Sequence, residues 1–495
     1  MAKRGNESAP IASRNGTRVD PRGLRRAGSP VAPIRFQAFV ARLAAMGLIA
    51  LAAGCAVVPY GTSGNAPIGE EANVTRATED IQVAELDSGV FVGIAMSGGG
   101  SRAANFSAAV MLELEELGFL QRASAVSSVS GSSLTAAYYG LFNRHDAPDP
   151  GMWNEAELRS RLGHNLQGEL LARWMLPHNL VRYWFTNYDR SDVMTRVFDR
   201  HLFDGEKKTF SDLGAGMPKI LFNATTVGGR NFLFTDQAFQ RINSDLSALR
   251  LSEAIMASAA FPGAFHNVTL TNFAEERRFV HLFDGGASDN LGVETLGALV
   301  VALAAVPGPQ PLRGCMMFVV DSTVDTAGKR EAEQSQRSHT RGLITRAIDD
   351  NVLDAVYVLL SRRRDDTLRT LGYPRTEDFG AIPVWSFAPL PGAVDAQGSE
   401  LLCHVWHIGF QRLPHVSAQG ETLAPIVNDI ETRFNLRGPY LEGDDVGAPS
   451  LRRNARRLQD SLYESARVLV QTDTEALGQV QQLFAEWFPS APRDE

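Results

Sequence analysis

Ser130 lies in the run Ser-Val-Ser-Gly-Ser at residues 128–132, downstream of three consecutive glycines, Gly98, Gly99 and Gly100. A serine with small neighbours on both sides suits a tight strand-to-helix turn that lifts its hydroxyl to a helix N-terminus. Glycines after an apolar strand let backbone N–H groups turn toward a ligand, because no Cβ blocks positive φ. Gly131 follows the serine directly, so its N–H lies close to any carbonyl under attack. One element reads as a nucleophile and the other as an oxyanion hole, which together point to acyl transfer through a serine ester. The base this chemistry needs is offered by Asp284, in His-Leu-Phe-Asp-Gly-Gly-Ala at 281–287. It ends an apolar strand, and the glycines after it allow the sharp turn that would bring a carboxylate to a serine on a neighbouring turn.

Other chemistries fit less well. The glycine run lacks the Lys-Ser/Thr of a nucleotide P-loop and the G-x-G-x-x-G spacing of a dinucleotide site. His404 and His407 suggest a metal pair, and the order Ser130, Asp284, His404 also suits a triad. Residues three apart in a strand face opposite ways, however, and a lone strand histidine is more often structural. A Ser-Asp pair needs neither a metal nor an organic cofactor, and none is expected.

The elements that must position these groups follow a strand, glycine loop, helix, strand, elbow, helix order. Phe91–Met96 and Ala123–Val129 are the strands, and Ala103–Leu117 and Ser132–Asn143 the helices. That βαβα pattern implies a parallel sheet covered by helices. Further strands are expected at Lys219–Thr226, Asn231–Thr235, Arg278–Phe283, Met316–Asp321 and Pro383–Phe387. Apolar residues at four-residue steps from Ile344 to Leu360 mark a helix, and two amphipathic runs follow, at Leu451–Val468 and Thr474–Phe488. The run from Trp174 to Phe185 is rich in aromatics, and reads either as a buried helix or as an element that meets a membrane interface. Arginines at 362–364 and 452–457 read as solvated helix faces.

At 495 residues the chain has room for one large domain or two modest ones. A net charge of −8 argues against nucleic acid as a partner and supplies no pull toward anionic lipid. Three cysteines are too few for a disulfide framework. Cys315, in an apolar run, reads as a buried free thiol. Cys55 follows an arginine, an apolar stretch and small residues, which is the layout of a secretory signal. With cysteine at the cleavage point it resembles a bacterial lipoprotein signal, although Ala52 stands where such signals usually carry leucine. Lipidation of Cys55 would tether the chain to the cell envelope. Ala56, in place of an aspartate, resembles lipoproteins sent on to the outer membrane. The expected organisation is a signal segment at 1–55, a linker at 56–85, a catalytic core at 86–330 and a mainly helical C-terminal extension at 331–495.

Ser-Gly-Gly-Gly-Ser-Arg at 97–102, the small-x-Ser-x-small elbow and the Asp-Gly-Gly after a strand occur in the order typical of patatin-like phospholipases. The chain resembles that family over roughly residues 88–325. The elbow, with glycine directly after the serine, is similar to that of the related cytosolic phospholipase A2 group. Residues 222–232, 257–265 and 209–213 carry lesser echoes. The resemblance implies an α/β, three-layer fold: a mostly parallel central sheet covered by helices, with additional C-terminal helices. It also implies a Ser-Asp dyad without histidine. Ser130 would be acylated, Asp284 would take its proton and later activate water, and Gly98, Gly99, Gly100 and Gly131 would hold the oxyanion. Arg102, at the position of the family's loop arginine, would order that loop or meet a lipid phosphate, if it is not a plain structural salt bridge. Ser128 and Ser132 depart from the glycines usual at an elbow, which would tighten it or narrow the acyl entrance. The expected activity is hydrolysis of phospholipid or other lipid acyl esters. An acyltransferase or general esterase using the same dyad is the first alternative, and a non-catalytic lipid-binding lipoprotein the second.

Overall fold

Strands buried on both faces read as near-continuous apolar runs, and Val90–Met96 and Gly314–Asp321 are of that kind, with every residue buried. In the computed structural model of the chain they sit side by side at the centre of the main sheet. The structure describes residues 64–69, 86–143, 150–213, 216, 218–275, 278–305, 312–324, 350–373, 382–386, 401–438 and 448–489. The signal segment and Cys55 lie outside the described residues.

The strands are β1 (Ala66–Pro67), β2 (Val90–Met96), β3 (Ala125–Val129), β4 (Lys219–Thr226), β5 (Asn231–Leu233), β6 (Ser244–Asp245), β7 (Val268–Asn272), β8 (Arg278–Asp284), β9 (Gly314–Asp321), β10 (Val384–Ser386) and β11 (Leu402–Gly409). The main sheet runs β10-β11-β9-β2-β3-β4-β8-β7, with β5 paired to β4 off that path. From β11 to β4 the strands are parallel, while β10, β5, β8 and β7 are antiparallel additions. Alternate residues of the central strands divide between two cores: Val92, Ile94, Met316 and Phe318 join one, and Phe91, Ala95, Met317 and Val319 the other. The sheet is therefore the middle of three layers, in agreement with the expected fold class.

The helices used below are α1 (Gly100–Glu116), α2 (Ser132–Phe142), α3 (Glu155–Leu162), α4 (Leu166–Trp174), α5 (Pro177–Phe185), α6 (Arg190–Leu202), α7 (Asp236–Gln240), α8 (Leu251–Ser258), α9 (Val293–Ala305) and α10 (Asp350–Thr370). Ala448–Gln471 and Thr474–Trp487 close the chain as two further helices.

Three expectations change. Cys315 is not a free thiol: its position on β9 faces Cys403 on β11, and the two form a disulfide. The His404–Met316 register places those cysteines opposite each other on adjacent parallel strands, a relation that spacing along the chain does not reveal. The segment after residue 330, expected to be mainly helical, joins the main sheet itself through β10, where a strand was expected at Pro383–Phe387, and through β11. Part of the expected linker is docked, with β1 paired to β6 and buried Asn65 donating to Ser244 Oγ and the Thr271 carbonyl.

Candidate active site

Register brings the three motifs together. Met96 pairs with Ser128, Val129 with Asn223, and Ala224 with Asp284. The residues that follow β2 and β3 and the last residue of β8 therefore lie at one level, at the C-terminal edge of the parallel strands.

Ser130 adopts φ 54, a conformation that costs a non-glycine residue about 1–3 kcal/mol. Its surroundings hold it there. The Ser130 N–H donates to Ser258 Oγ at 2.8 Å, and the Ser133 hydroxyl donates to the same oxygen at 3.0 Å. Ser132 Oγ accepts the Val129 N–H at 3.1 Å and reaches the Met96 carbonyl at 2.9 Å. Ser128 Oγ lies 3.2 Å from Ser133 Oγ and from the Leu221 carbonyl oxygen. The two serines that replace glycine thus tie the elbow to the strands on either side of it.

Asp284 and Ser130 are both buried, and Ser130 stands close enough to Asp284 to favour its ionised carboxylate. Burial pushes that carboxyl up to about 6, against the opposing effect of the hydrogen bond from the Gly286 N–H and of nearby Ser130. The backbone of Asp284 is pinned on both sides: its N–H donates to the Ala260 carbonyl at 3.1 Å, and its carbonyl accepts the Thr225 hydroxyl at 2.8 Å.

The glycine loop has less freedom than its composition suggests. The Gly98 N–H already donates to the Asn290 carbonyl at 3.3 Å, which removes Gly98 from the expected oxyanion donors. Among the described residues no protein acceptor takes the N–H of Gly99, Gly100 or Gly131. Gly100 has φ +62, and a Cβ there would meet the Arg433 carbonyl oxygen at 2.3 Å. A Cβ on Gly131 would lie 2.0 Å from the Gly100 carbonyl oxygen, so the loop and the elbow interlock through main chain alone.

Residues 94–296, which contain all three motifs, match the family model described as patatin-like phospholipase. They form a patatin-like phospholipase domain. The patatin-like domain accounts for less than half of the chain, and none of the curated proteins matches the sequence. Among solved structures, human GIVD cytosolic phospholipase A2 aligns with a TM-score of 0.40 and 13% identity, covering 81% of this chain and 60% of that one. Its complex with methyl gamma-linolenyl fluorophosphonate gives 0.39 and 16%, covering 83% and 62%. VipD from Legionella pneumophila gives 0.22 and 11%, covering 50% and 52%. The chain thus spans about 60% of the length of the first of these structures.

Within the patatin-like domain Arg102 is buried. Its guanidinium donates to the Ser322 carbonyl at 2.8 Å and the Ile430 carbonyl at 2.5 Å, which ties the glycine loop to two distant segments. The histidines stand apart from Ser130. His407 packs on Asp321 with Nε2 at 2.9 Å, while His404 lies beside Trp487. Arg364, expected on a solvated face, is buried and grips the same Asp321, Nη2 to Oδ2 at 2.6 Å. That guanidinium holds the Asp321 carboxyl well below the usual carboxylate range. No metal-binding cluster occurs among the described residues.

Sequence reasoning missed several residues of the candidate site. Ser258 supports the elbow, and Asn223 holds it from below by donating to Ser127 Oγ and the Ser128 carbonyl, both at 2.9 Å. The Asn290 side-chain oxygen lies 2.9 Å from where a Gly286 Cβ would stand and 3.6 Å from a Gly98 Cβ, between the aspartate turn and the glycine loop. Asn223 and Ser258 lie in two of the lesser echoes, the one signal that singled out those stretches.

Proposed function

We propose that this chain is a lipid acyl hydrolase in which Ser130 is the nucleophile and Asp284 the general base. The observation that carries the reading is the strained elbow at Ser130, brought by strand register to the level of a buried aspartate. Ser130 Oγ attacks the ester carbonyl as its proton passes to Asp284. The N–H groups of Gly99, Gly100 and Gly131 receive the developing oxyanion. Collapse breaks the ester C–O bond, and the leaving alcohol takes the proton from Asp284. Asp284, ionised again, then deprotonates a water that attacks the acyl-serine. The second tetrahedral intermediate expels Ser130, which recovers a proton from Asp284 and releases the fatty acid. Arg102 positions the loop rather than meeting substrate, since carbonyls of the fold engage its guanidinium.

A lipidated Cys55 would hold this enzyme at a bacterial envelope membrane, in the outer membrane by the residue that follows it. The Cys315–Cys403 disulfide supports an oxidising compartment of that kind.

The test is labelling with a fluorophosphonate probe, with phospholipid hydrolysis followed in parallel. Loss of labelling in Ser130→Ala, and loss of hydrolysis in both Ser130→Ala and Asp284→Asn, are the expected results. Robust labelling of Ser130→Ala would sink the assignment of the nucleophile.

A further inference from the structure

An amphipathic helix on a globular protein normally turns its apolar stripe to the core. α5 does the reverse. Val181, Trp184 and Phe185, at spacings of three and four, are exposed, with Trp184 73% accessible, while polar Asn179 is buried. Met175 and Leu176 extend the apolar surface through the turn before α5. More than half of the exposed large apolar side chains among the described residues fall between Leu171 and Phe185. Exposure so concentrated marks a contact surface, since scattered apolar side chains are the rule elsewhere on proteins.

The composition of the stretch narrows the partner. In a chain of net charge −8, residues 170–188 contain no Asp or Glu and carry Arg182 and His178, while Arg173 is paired with Glu169. Trp and Tyr with arginine nearby suit the headgroup level of a bilayer, where rings settle and cations meet phosphate. Among the described residues no helix is long and apolar enough to cross a membrane, so such contact is one of surface insertion.

Position makes the surface useful. The start of α4 is tied to the glycine loop's neighbours, because Gln167 N–H donates to the Phe434 carbonyl while the Arg433 carbonyl accepts the Ser101 N–H. On the far side, Ser191 at the start of α6 donates to the His266 carbonyl, in the segment that follows Ala260 and its bond to Asp284. The exposed arch is therefore anchored at both ends to segments that border Ser130 and Asp284.

We infer that residues 171–185 form an interfacial docking surface that seats the enzyme on a phospholipid bilayer with its acyl site at the headgroup boundary. This rests on the lipid-hydrolase reading above. The experiment uses the full chain carrying Cys55→Ser, so that a covalent anchor cannot mask the contact. Co-sedimentation with vesicles of phosphatidylethanolamine and phosphatidylglycerol is compared with and without Val181→Asp/Trp184→Asp, alongside hydrolysis of a soluble, monomeric ester. The expected result is a drop in vesicle partitioning of at least about tenfold, with hydrolysis of the soluble ester within about twofold of the parent. Unchanged partitioning would overturn the inference. So would a parent that dimerises in sedimentation velocity, ignores vesicles and is made monomeric by the two substitutions, which would mark a face between copies. Absence of ester hydrolysis in the parent would count against the catalytic reading alone, since vesicle partitioning is read separately.

Discussion

At the scale of single residues, the site combines two costly features, a serine at positive φ and a buried aspartate. Asp284 titrates near 6 in the folded chain against an ordinary 3.8, so the folded state holds that proton more tightly than the unfolded one. Its contribution to stability therefore falls as pH rises from about 4 to about 6 and stays low above that. On the proposed mechanism activity has the opposite sign, because Asp284 must be ionised to act as the base. We expect kcat/KM for a soluble neutral ester to drop about tenfold per pH unit below about 6, read from a pH-rate profile. Asp284→Asn should abolish hydrolysis yet raise Tm at neutral pH by roughly 2–6 °C, measured by calorimetry. A fall in Tm would mean that the ionised carboxylate stabilises the fold. Ser258→Ala removes the acceptor of the Ser130 N–H, and should lower kcat by about tenfold with little change in KM, the pattern of lost transition-state geometry.

At the scale of elements, the loop and the elbow depend on each other's backbone. Gly131→Ala would drive a methyl into the Gly100 carbonyl, where only main chain could yield. A loss of at least about 100-fold in kcat is expected, as for removal of an oxyanion donor, with the fold intact by circular dichroism. The motif residues were legible because their chemistry is local: glycines, a serine among small neighbours, and a carboxylate ending a strand. Most strands were legible too, since β2 and β9 are fully or largely apolar runs. What stayed hidden depends on pairing between distant segments. The β9–β11 register made Cys315 a disulfide partner, and the burial of Asp321 drew in Arg364 from what reads as a charged helix face. The engagement of the Gly98 N–H by Asn290 is likewise a contact across the sheet edge that no spacing along the chain predicts.

At the scale of the whole molecule, β9 is where distant segments are tied together, by a buried ion pair and by a disulfide. Arg364→Met leaves the Asp321 carboxylate buried with too few partners, and should cost about 3–5 kcal/mol in chemical denaturation. The disulfide spans 88 positions of sequence, and Cys315→Ala/Cys403→Ala should cost about 2–4 kcal/mol, measured the same way under non-reducing conditions. Arg102 has a different kind of consequence, one of timing. The serine, its turn and the glycines are all made early in synthesis, yet the loop takes its shape from carbonyls at Ser322, Ile430 and Arg433. Those partners are synthesised only after the loop itself. A nascent chain that has emerged only as far as Asp284 therefore holds Ser130 and Asp284 beside a loop whose shaping partners are still to be made.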